Sequence, residues 1–195
     1  IFVSYRRKDT PIATDVVCRA MVEHFGADSV FFDVDTIPKG VDFRTHLRDS
    51  VNQCDILLVM IGDRWLDARA EDGTRRLDEP TDFVRIEVEA ALGRGIPVLP
   101  VLVGDVVMPR EIDLPVTLKD LPYRNAAEVR TGGDFRNHVD RLVRDVVKTL
   151  DSKPSVESTR PVEQSSPSLS TPSSQQSHRT APAKPKQSEA QPTNR

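Results

Sequence analysis

The run Asp55-Ile56-Leu57-Leu58-Val59-Met60-Ile61 constrains the fold more than any other stretch of this chain. After Asp55 its residues are all apolar, with no alternation of polar side chains, so both faces of the strand that they form must be buried. Strands of this kind lie at the centre of parallel sheets, because helices cover such sheets on both sides. The run therefore predicts an α/β domain built on a parallel sheet.

Strand-sized apolar runs and helical patterns alternate on both sides of this stretch. The other strands are predicted at 1–4, 29–32, 97–103 and 126–130, and the helices near 10–25, 43–53, 81–95 and 135–150. Pro100 has no amide hydrogen to donate, so we expect the strand at 97–103 to be interrupted there or to lie near an edge. The alternation predicts a flavodoxin-like, doubly wound sheet of five parallel strands.

The composition of the chain changes near Asp151. Residues 1–150 carry the strand and helix patterns, whereas residues 151–195 are rich in Ser, Thr, Pro, Gln and Lys, with few and isolated apolar residues. Such a segment cannot bury enough apolar surface to offset the entropy lost on ordering, so we expect a disordered tail after one domain. The sequence opens at Ile1, inside a strand-like run, as a piece of a longer protein would.

Charge and cysteine content argue against several classes of protein. The net charge of −3 gives no strong attraction to nucleic acid or to anionic membranes. No apolar run reaches the length of a transmembrane helix. Cys18 and Cys54 form neither a CxxC pair nor a disulfide framework, which fits a reducing, cytoplasmic location. The four histidines are scattered along the chain, so we expect no metal site.

The segments that follow the predicted strands hold the candidate binding residues. Ligands of doubly wound sheets bind beyond the carboxyl ends of the strands, so residues 4–9, 33–42 and 62–80 should meet at one edge. Arg6 and Arg7 suit phosphate oxygens because guanidinium groups donate paired, charge-assisted hydrogen bonds; a structural carboxylate is the alternative partner. The aromatic residues that are able to stack on a flat ligand ring are Tyr5, Phe43, Trp65 and Phe83.

The predicted helix at 81–95 is expected to begin with Thr81 as its cap and to end at Gly95 in a left-handed conformation. Glu87 lies at the border of the apolar stripe Val84-Val88-Ala91-Leu92, where a side chain is neither in the core nor fully in solvent. Glu89 points to the solvated side. A carboxylate at the edge of a core stripe is a candidate for a cleft, and a half-exposed surface glutamate is the alternative.

Four stretches, in order along residues 1–150, resemble the signature segments of TIR domains, most nearly those of the bacterial type. Residues 55–62 resemble their third strand. Ile1-Phe2-Val3-Ser4-Tyr5-Arg6-Arg7-Lys8-Asp9 resembles their first box. Residues 31–43, with Pro38 and Gly40, resemble the loop after the second strand. Asp82-Phe83-Val84-Arg85-Ile86-Glu87 resembles the start of the helix that carries the catalytic glutamate in NAD-cleaving members. The usual dinucleotide-binding GxGxxG loop is absent.

The resemblance implies a glycosidase that splits NAD⁺ into nicotinamide and ADP-ribose or a cyclic form of it, with NAD⁺ as the substrate and no further cofactor. Glu87 would be the catalytic carboxylate that steadies an oxocarbenium-like charge. The substrate-binding residues would be Ser4, Tyr5, Arg6, Arg7, Asp33, Phe43, Trp65 and Phe83. Many active members carry tryptophan at the position of Phe83.

Two other functions stay open. In a non-catalytic module of immune or defence-type signalling, TIR domains assemble with one another into homo-oligomers or filaments. The loop implied for self-association, which an enzyme would share, contains Asp35, Ile37, Pro38, Lys39 and Gly40. A phosphoacceptor receiver has the same sheet topology, but Arg6 and Arg7 place cations where its Mg²⁺-binding acidic pair should be.

Overall fold

The protein is described by a computed structural model that covers residues 1–32, 40 and 42–152. Four parallel strands form one sheet in the order in which they occur along the chain: β1 (Phe2–Ser4), β2 (Leu57–Ile61), β3 (Val98–Val103) and β4 (Ala127–Val129). The register places Leu58 of β2 between Val3 of β1 and Leu99 of β3. The predicted α/β class with a parallel sheet is confirmed.

Helices cover both faces of the sheet, as the apolar run of β2 requires. The four helices are α1 (Pro11–Phe25), α2 (Phe43–Asn52), α3 (Phe83–Arg94) and α4 (Phe135–Asp151). Leu57, Val59 and Ile61 share a core with α2 and α3, whereas Leu58 and Met60 share the opposite core with α1 and α4. The period of two along β2 therefore divides its side chains between two layers, which is the doubly wound arrangement.

The prediction of a strand at residues 29–32, the second of the five along the chain, is wrong for the part of the chain that the structure describes, whereas the fifth, at 126–130, is observed as β4. Residues 27–29 form a short 3₁₀ helix, which leaves only a few extended residues before 33. Phe31 makes a single parallel bridge with Phe2, on the side of β1 that faces away from β2. The backbone there runs where a further edge strand would lie, but its pairing is too short to form one.

Of the two alternatives predicted for Pro100, an interruption is wrong, because β3 runs through it without a break, and a place near an edge agrees with β3 lying next to the edge strand β4. Pro100 pairs in register with Val59 of β2. Pairing with β4 begins only at Val101. The proline therefore lies where β3 has a neighbour on one side alone, so the missing amide hydrogen leaves the ladder with β4 intact.

The connection from β3 to β4 contains three 3₁₀ turns in place of an α-helix. They span Glu111–Asp113, Val116–Leu118 and Leu121–Tyr123. Prolines at 109, 115 and 122 explain this, because each removes an amide donor and obstructs a longer helix. Buried leucines of the turns nonetheless pack into the core beside α3.

Helix α3 begins one residue later than its sequence suggests. The N-cap is Asp82, whose carboxylate accepts the amide hydrogen of Arg85 at 3.1 Å, and Thr81 is exposed. Gly95 ends the helix in the left-handed region, with φ of 72°, as predicted. Asp82 replaces Thr81 as cap because its carboxylate also has buried cationic partners.

Part of the chain stays outside the described residues. Asp33, Asp35, Ile37, Pro38 and Lys39 belong to that part, as do residues 153–195 of the predicted tail. Helix α4 extends to Asp151, so the last described turn reaches the predicted boundary. No helix in the described ranges has the length and apolar character needed to span a membrane.

Candidate functional site

A cleft of about 910 Å³ opens where the chain leaves β1 and where α3 begins. Its walls come from the segment after β1, from Phe31 and Phe32, from α2, from the loop after β2 and from the first turns of α3. Of the residues predicted from the sequence, the cleft brings together Tyr5, Arg6, Arg7, Phe83 and Glu87. The predicted edge of the sheet therefore carries a cavity of the size that small-molecule sites have.

Glu87 lines this cleft and is far more buried than its sequence position suggests, with only 3% of its surface exposed. Helix α3 packs against the sheet and α2, so Ile86 and Glu87 are covered together with the predicted apolar stripe. Burial raises the pKa of Glu87 from 4.5 to about 8. The Asp82 carboxylate also contributes to this rise of the pKa, whereas the Ser4 hydroxyl and the Arg6 guanidinium oppose it.

Ser4 is a buried neighbour of Glu87 rather than a wall of the cleft. Its side-chain oxygen is fully enclosed and makes no hydrogen bond of good geometry with the described part of the chain. It is nevertheless near enough to Glu87 to favour the ionised carboxyl. An enclosed hydroxyl without a partner costs free energy. A hydrogen bond from the Ser4 hydroxyl to the ionised Glu87 carboxylate would recover that cost.

Arg6 does not offer its guanidinium fork to the cleft. Its Nη1 and Nη2 donate to the two carboxylate oxygens of Asp82 at 3.0 and 3.1 Å, and its Nε donates to the Trp65 carbonyl at 2.9 Å. Both charged side chains are almost fully enclosed. The fork is therefore taken by a structural carboxylate, the alternative that the sequence left open, and is not available for a paired contact with phosphate.

Arg6→Ala should destabilise the domain strongly, because Asp82 would keep its charge in a buried position without its main partner. We expect the free energy of unfolding to fall by about 3–5 kcal/mol, measured by urea denaturation. Arg110→Ala is the matched control, since Arg110 forms a similar fork with Asp113 on the exposed surface and should cost less than about 1 kcal/mol. Unchanged stability of Arg6→Ala combined with weaker substrate binding would restore the phosphate role.

Trp65 and Phe43 do not line the cleft. Trp65 is completely buried in the core between the sheet and α3, and its indole Nε1 has no hydrogen-bond partner among the described residues. It is therefore not placed to stack on a ligand ring in this arrangement. Phe43 packs edge to face on Phe83, with 4.8 Å between the ring centres, so it supports the ring that does face the cleft.

The sequence analysis missed several residues that line the cleft. His46 and Ser50 of α2 are there because α2 packs beside α3. Arg64, Arg69 and Arg76 come from the loop after β2, which the analysis placed at the ligand edge without naming its arginines. Four arginines within thirteen residues, Arg75 among them, were the available signal for this loop. No sequence pattern indicated that α2 would line the cleft.

Asp9 anchors the loop after β2 to the wall of the cleft. Its carboxylate oxygens accept the amide hydrogens of Gly62 at 3.0 Å and Arg64 at 2.9 Å. Burial raises the pKa of this carboxyl, and the neighbouring Asp63 acts in the same direction. A Cβ at Gly62 would lie 2.6 Å from both Asp9 oxygens and from the Thr10 methyl group. Only glycine permits this close approach.

Gly62→Ala should therefore displace Asp9 and loosen the loop that carries the arginines. We expect a loss of about 1–3 kcal/mol in the free energy of unfolding, as for overpacking of a core. The control is Gly93→Ala in α3, where a Cβ meets no atom within 4 Å and should stabilise the helix by about 0.5–1 kcal/mol. Equal stability of the two variants in urea denaturation would show that the close approach has no energetic weight.

The sequence predicted that Glu89 points to the solvated side of its helix. Glu89 does lie outside the cleft, but its carboxylate has hydrogen-bond partners. Arg85 Nε donates to its carboxylate at 2.6 Å, and the Thr117 hydroxyl donates to the same oxygen. About a quarter of its side chain is exposed. The two glutamates of α3 therefore have separate surroundings, with Glu87 in the cleft and Glu89 in a surface ion pair.

Comparison with known protein families decides how this fold is classified. The family described as TIR domain matches residues 1–143. The chain belongs to the TIR domain family. The prediction of a TIR domain from the signature segments is thereby confirmed, its bacterial type stays a prediction, and the receiver alternative is set aside. No match is found among curated proteins.

A solved structure supports the fold of this TIR domain. The structure described as the activated Roq1 resistosome directly recognizing the pathogen effector XopQ, TIR domains, superposes with a TM-score of 0.55. The match covers 74% of this chain and 97% of that chain at 14% sequence identity. At this identity the likeness establishes the shared architecture of the two TIR domains.

Proposed function

We propose that this TIR domain cleaves NAD⁺ between nicotinamide and ribose, with Glu87 as the catalytic carboxylate. The observation that carries the proposal is a glutamate with 3% exposure in the wall of a cleft of about 910 Å³, in a domain of the TIR family. A carboxylate withdrawn from water interacts strongly with positive charge that develops next to it. The products are nicotinamide and ADP-ribose or its cyclic form.

Glu87 serves this reaction as an anion. Nicotinamide in NAD⁺ is positively charged and leaves as a neutral molecule, so the departing group needs no acid. The ribose becomes oxocarbenium-like as the bond breaks, and an ionised Glu87 stabilises that charge. Burial holds the pKa of Glu87 at about 8, and a cationic ring bound beside it favours the ionised form.

The remaining walls of the cleft suit the other parts of a dinucleotide. Tyr5 and Phe83 present aromatic rings for the nicotinamide or adenine rings. The cations that accept the diphosphate in this proposal are Arg7, Lys8, Arg64, Arg69 and Arg76, which line the same cleft. Asp33 stays a predicted substrate-binding residue and lies outside the described residues.

The direct test is incubation of the purified protein with NAD⁺ and quantification of nicotinamide by liquid chromatography. The measurement is made in dilute buffer and with a crowding agent, because assembly between copies brings additional contacts to the cleft. We expect nicotinamide in an amount equal to that of ADP-ribose, formed when water attacks the ribose, or of cyclic ADP-ribose, formed without water. No nicotinamide under either condition would reject the enzyme and favour the alternative below.

The second candidate function is TIR–TIR assembly in defence-type signalling within the cytoplasm, by a domain of the bacterial type. It is favoured by the structural match, which is to TIR domains of an activated resistosome. The proposed contact is the loop with Asp35, Ile37, Pro38 and Lys39, which lies outside the described residues, together with Gly40. The two functions are compatible, because the cleft would serve NAD⁺ cleavage and the loop would serve assembly.

Gly40→Val should weaken self-association and turnover together. Gly40 has φ of +87°, a conformation that a β-branched residue rarely adopts, and a Cβ there meets no atom within 4 Å. Valine at this position should therefore change the backbone conformation at residue 40, and its side chain should not clash with the core. Gly26→Val at the end of α1 is the control, because Gly26 also has φ of +87° and a Cβ there meets no atom within 4 Å. This variant should sediment like the parent. Identical sedimentation of both variants and the parent would remove this loop from the assembly.

A further inference from the structure

Arg6, Asp82 and Arg76 form a charged group at the site, and only Arg76 among them has a role in the proposed reaction, as one of the cations for the diphosphate. Asp82 accepts two hydrogen bonds from Arg6 and one from the amide of Arg85, and Arg76 Nε lies 3.1 Å from its Oδ2. One carboxylate is thus shared by two guanidinium groups. Its side chain is 1% exposed and that of Arg6 is 4% exposed, so water screens this charge poorly.

This group joins the parts of the chain that surround Glu87. Arg6 comes two residues after β1, whose last residue is Ser4, and Asp82 is the cap of α3. The Arg6 Nε bond to the Trp65 carbonyl adds the loop after β2. A single ion pair therefore fixes the start of α3 against the end of β1, and Glu87 lies in the second turn of that helix.

The charges in the group are unequal, and Glu87 balances them only in its ionised form. Arg6 and Arg76 supply two positive charges and Asp82 supplies one negative charge, so one positive charge remains. An ionised Glu87 makes the four residues neutral. The Asp82 carboxylate opposes ionisation of Glu87 and the Arg6 guanidinium favours it. The two members of the ion pair thus act on the same carboxyl in opposite directions.

We propose that Arg6 and Asp82 are positioning residues, an ion pair that orients α3 and fixes the local charge under which Glu87 works. Its effect on turnover rests on the NAD⁺ cleavage proposed above. The pair does not touch the substrate in this proposal. It acts through Glu87 by keeping two opposite charges at fixed places beside one carboxyl.

Other charged groups share the cleft and stay constant in the comparison below. They are Arg7, Lys8 and Asp9 after β1, His46 of α2, and Arg64 and Arg69 of the loop after β2. None of them is altered in the variants, so their contribution to the titration of Glu87 is the same in the parent and in each variant, provided that the fold is retained.

The test is a set of charge-removing variants of the full chain: Asp82→Asn, Arg6→Gln and the double variant. Asparagine caps a helix as well as aspartate, and both amides keep hydrogen-bonding capacity, so the start of α3 is retained. The pKa of Glu87 is measured directly by carbon NMR with ¹³C-labelled glutamate, its signal being assigned from its loss in Glu87→Gln. This readout needs no substrate.

Asp82→Asn should lower the pKa of Glu87, because two cations then face it without their anion. Arg6→Gln should raise that pKa, and the double variant should return it close to the parent. We expect each single change to move the titration midpoint by at least about 0.5 in pH. Where NAD⁺ is cleaved, the acidic limb of the kcat/KM profile should move in the same directions. If the pair had a merely structural role, both single variants would lose activity, but the Glu87 midpoint would not move in opposite directions in the two.

The exposed pair Arg110–Asp113 supplies the matched control, because it has the same forked geometry away from the cleft. Arg110→Gln and Asp113→Asn should leave the titration of Glu87 unchanged. If Arg6→Gln does not fold, Asp82→Asn and the double variant still decide the question, since only Asp82→Asn should move the midpoint. A Glu87 midpoint that stays constant, or moves the same way in both single variants, overturns the proposal. Opposite displacements without any nicotinamide release would sustain it and reject the proposed function.

Discussion

Glu87→Gln should lower nicotinamide release by about 10²–10³-fold or more while the fold persists. Glutamine has nearly the same size and keeps an oxygen in the cleft, but it has no negative charge for the developing oxocarbenium ion. The enclosed position of Glu87 makes the loss large, because water does not replace the missing charge. The measurement is single-turnover release of nicotinamide with NAD⁺ in excess over its dissociation constant.

Glu89→Gln is the control for this experiment. It lies two residues further along α3, about 200° around the helix, in the ion pair with Arg85 and outside the cleft. Its turnover should match that of the parent, with a loss of stability below about 1 kcal/mol from the surface pair. Near-parental activity of Glu87→Gln would contradict the mechanism, and equal loss in both variants would point to a disturbed helix.

The same Glu87→Gln variant should become relatively more stable as the pH rises. The pKa of Glu87 is about 8 in the folded chain and near the ordinary value of 4.5 when unfolded. Between these values the folded parent holds a proton that the unfolded chain releases, so its stability is full below pH 4.5 and is lost up to pH 8. Across this window the parent should lose on the order of 4 kcal/mol relative to the variant.

Urea denaturation of both proteins at pH 5 and pH 8.5 measures this difference. Other titrating groups are common to the two proteins, so their contributions cancel when the parent is subtracted from the variant. Glu89→Gln again serves as control and should show no comparable growth of the difference with pH. If the free energies of unfolding of Glu87→Gln and the parent differ by the same amount at both pH values, Glu87 is solvated in the folded protein.

Sequence patterns predicted most of the framework because they record burial directly. The apolar run of β2 implied a sheet covered on both faces, and its side chains do alternate between two cores. The spacing in α4 predicted a helix near 135–150, which is observed as Phe135–Asp151. The signature segments around Ser4 and Glu87 predicted the family that the comparison confirms. Periodicity and short motifs suffice for these features because each depends on residues close together in the chain.

Only the tertiary structure decided which partners the candidate site residues have. Arg6 and Asp82 are 76 residues apart in sequence and meet in a buried ion pair, which no local pattern predicts. Trp65 looked like a ligand-facing ring and is enclosed in the core, whereas the border position of Glu87 became a buried one when α3 packed against the sheet and α2. The physical reason is the same in each case. The sequence determines which side of its own helix or strand each side chain faces. Burial and charge pairing depend on which other elements pack against that side.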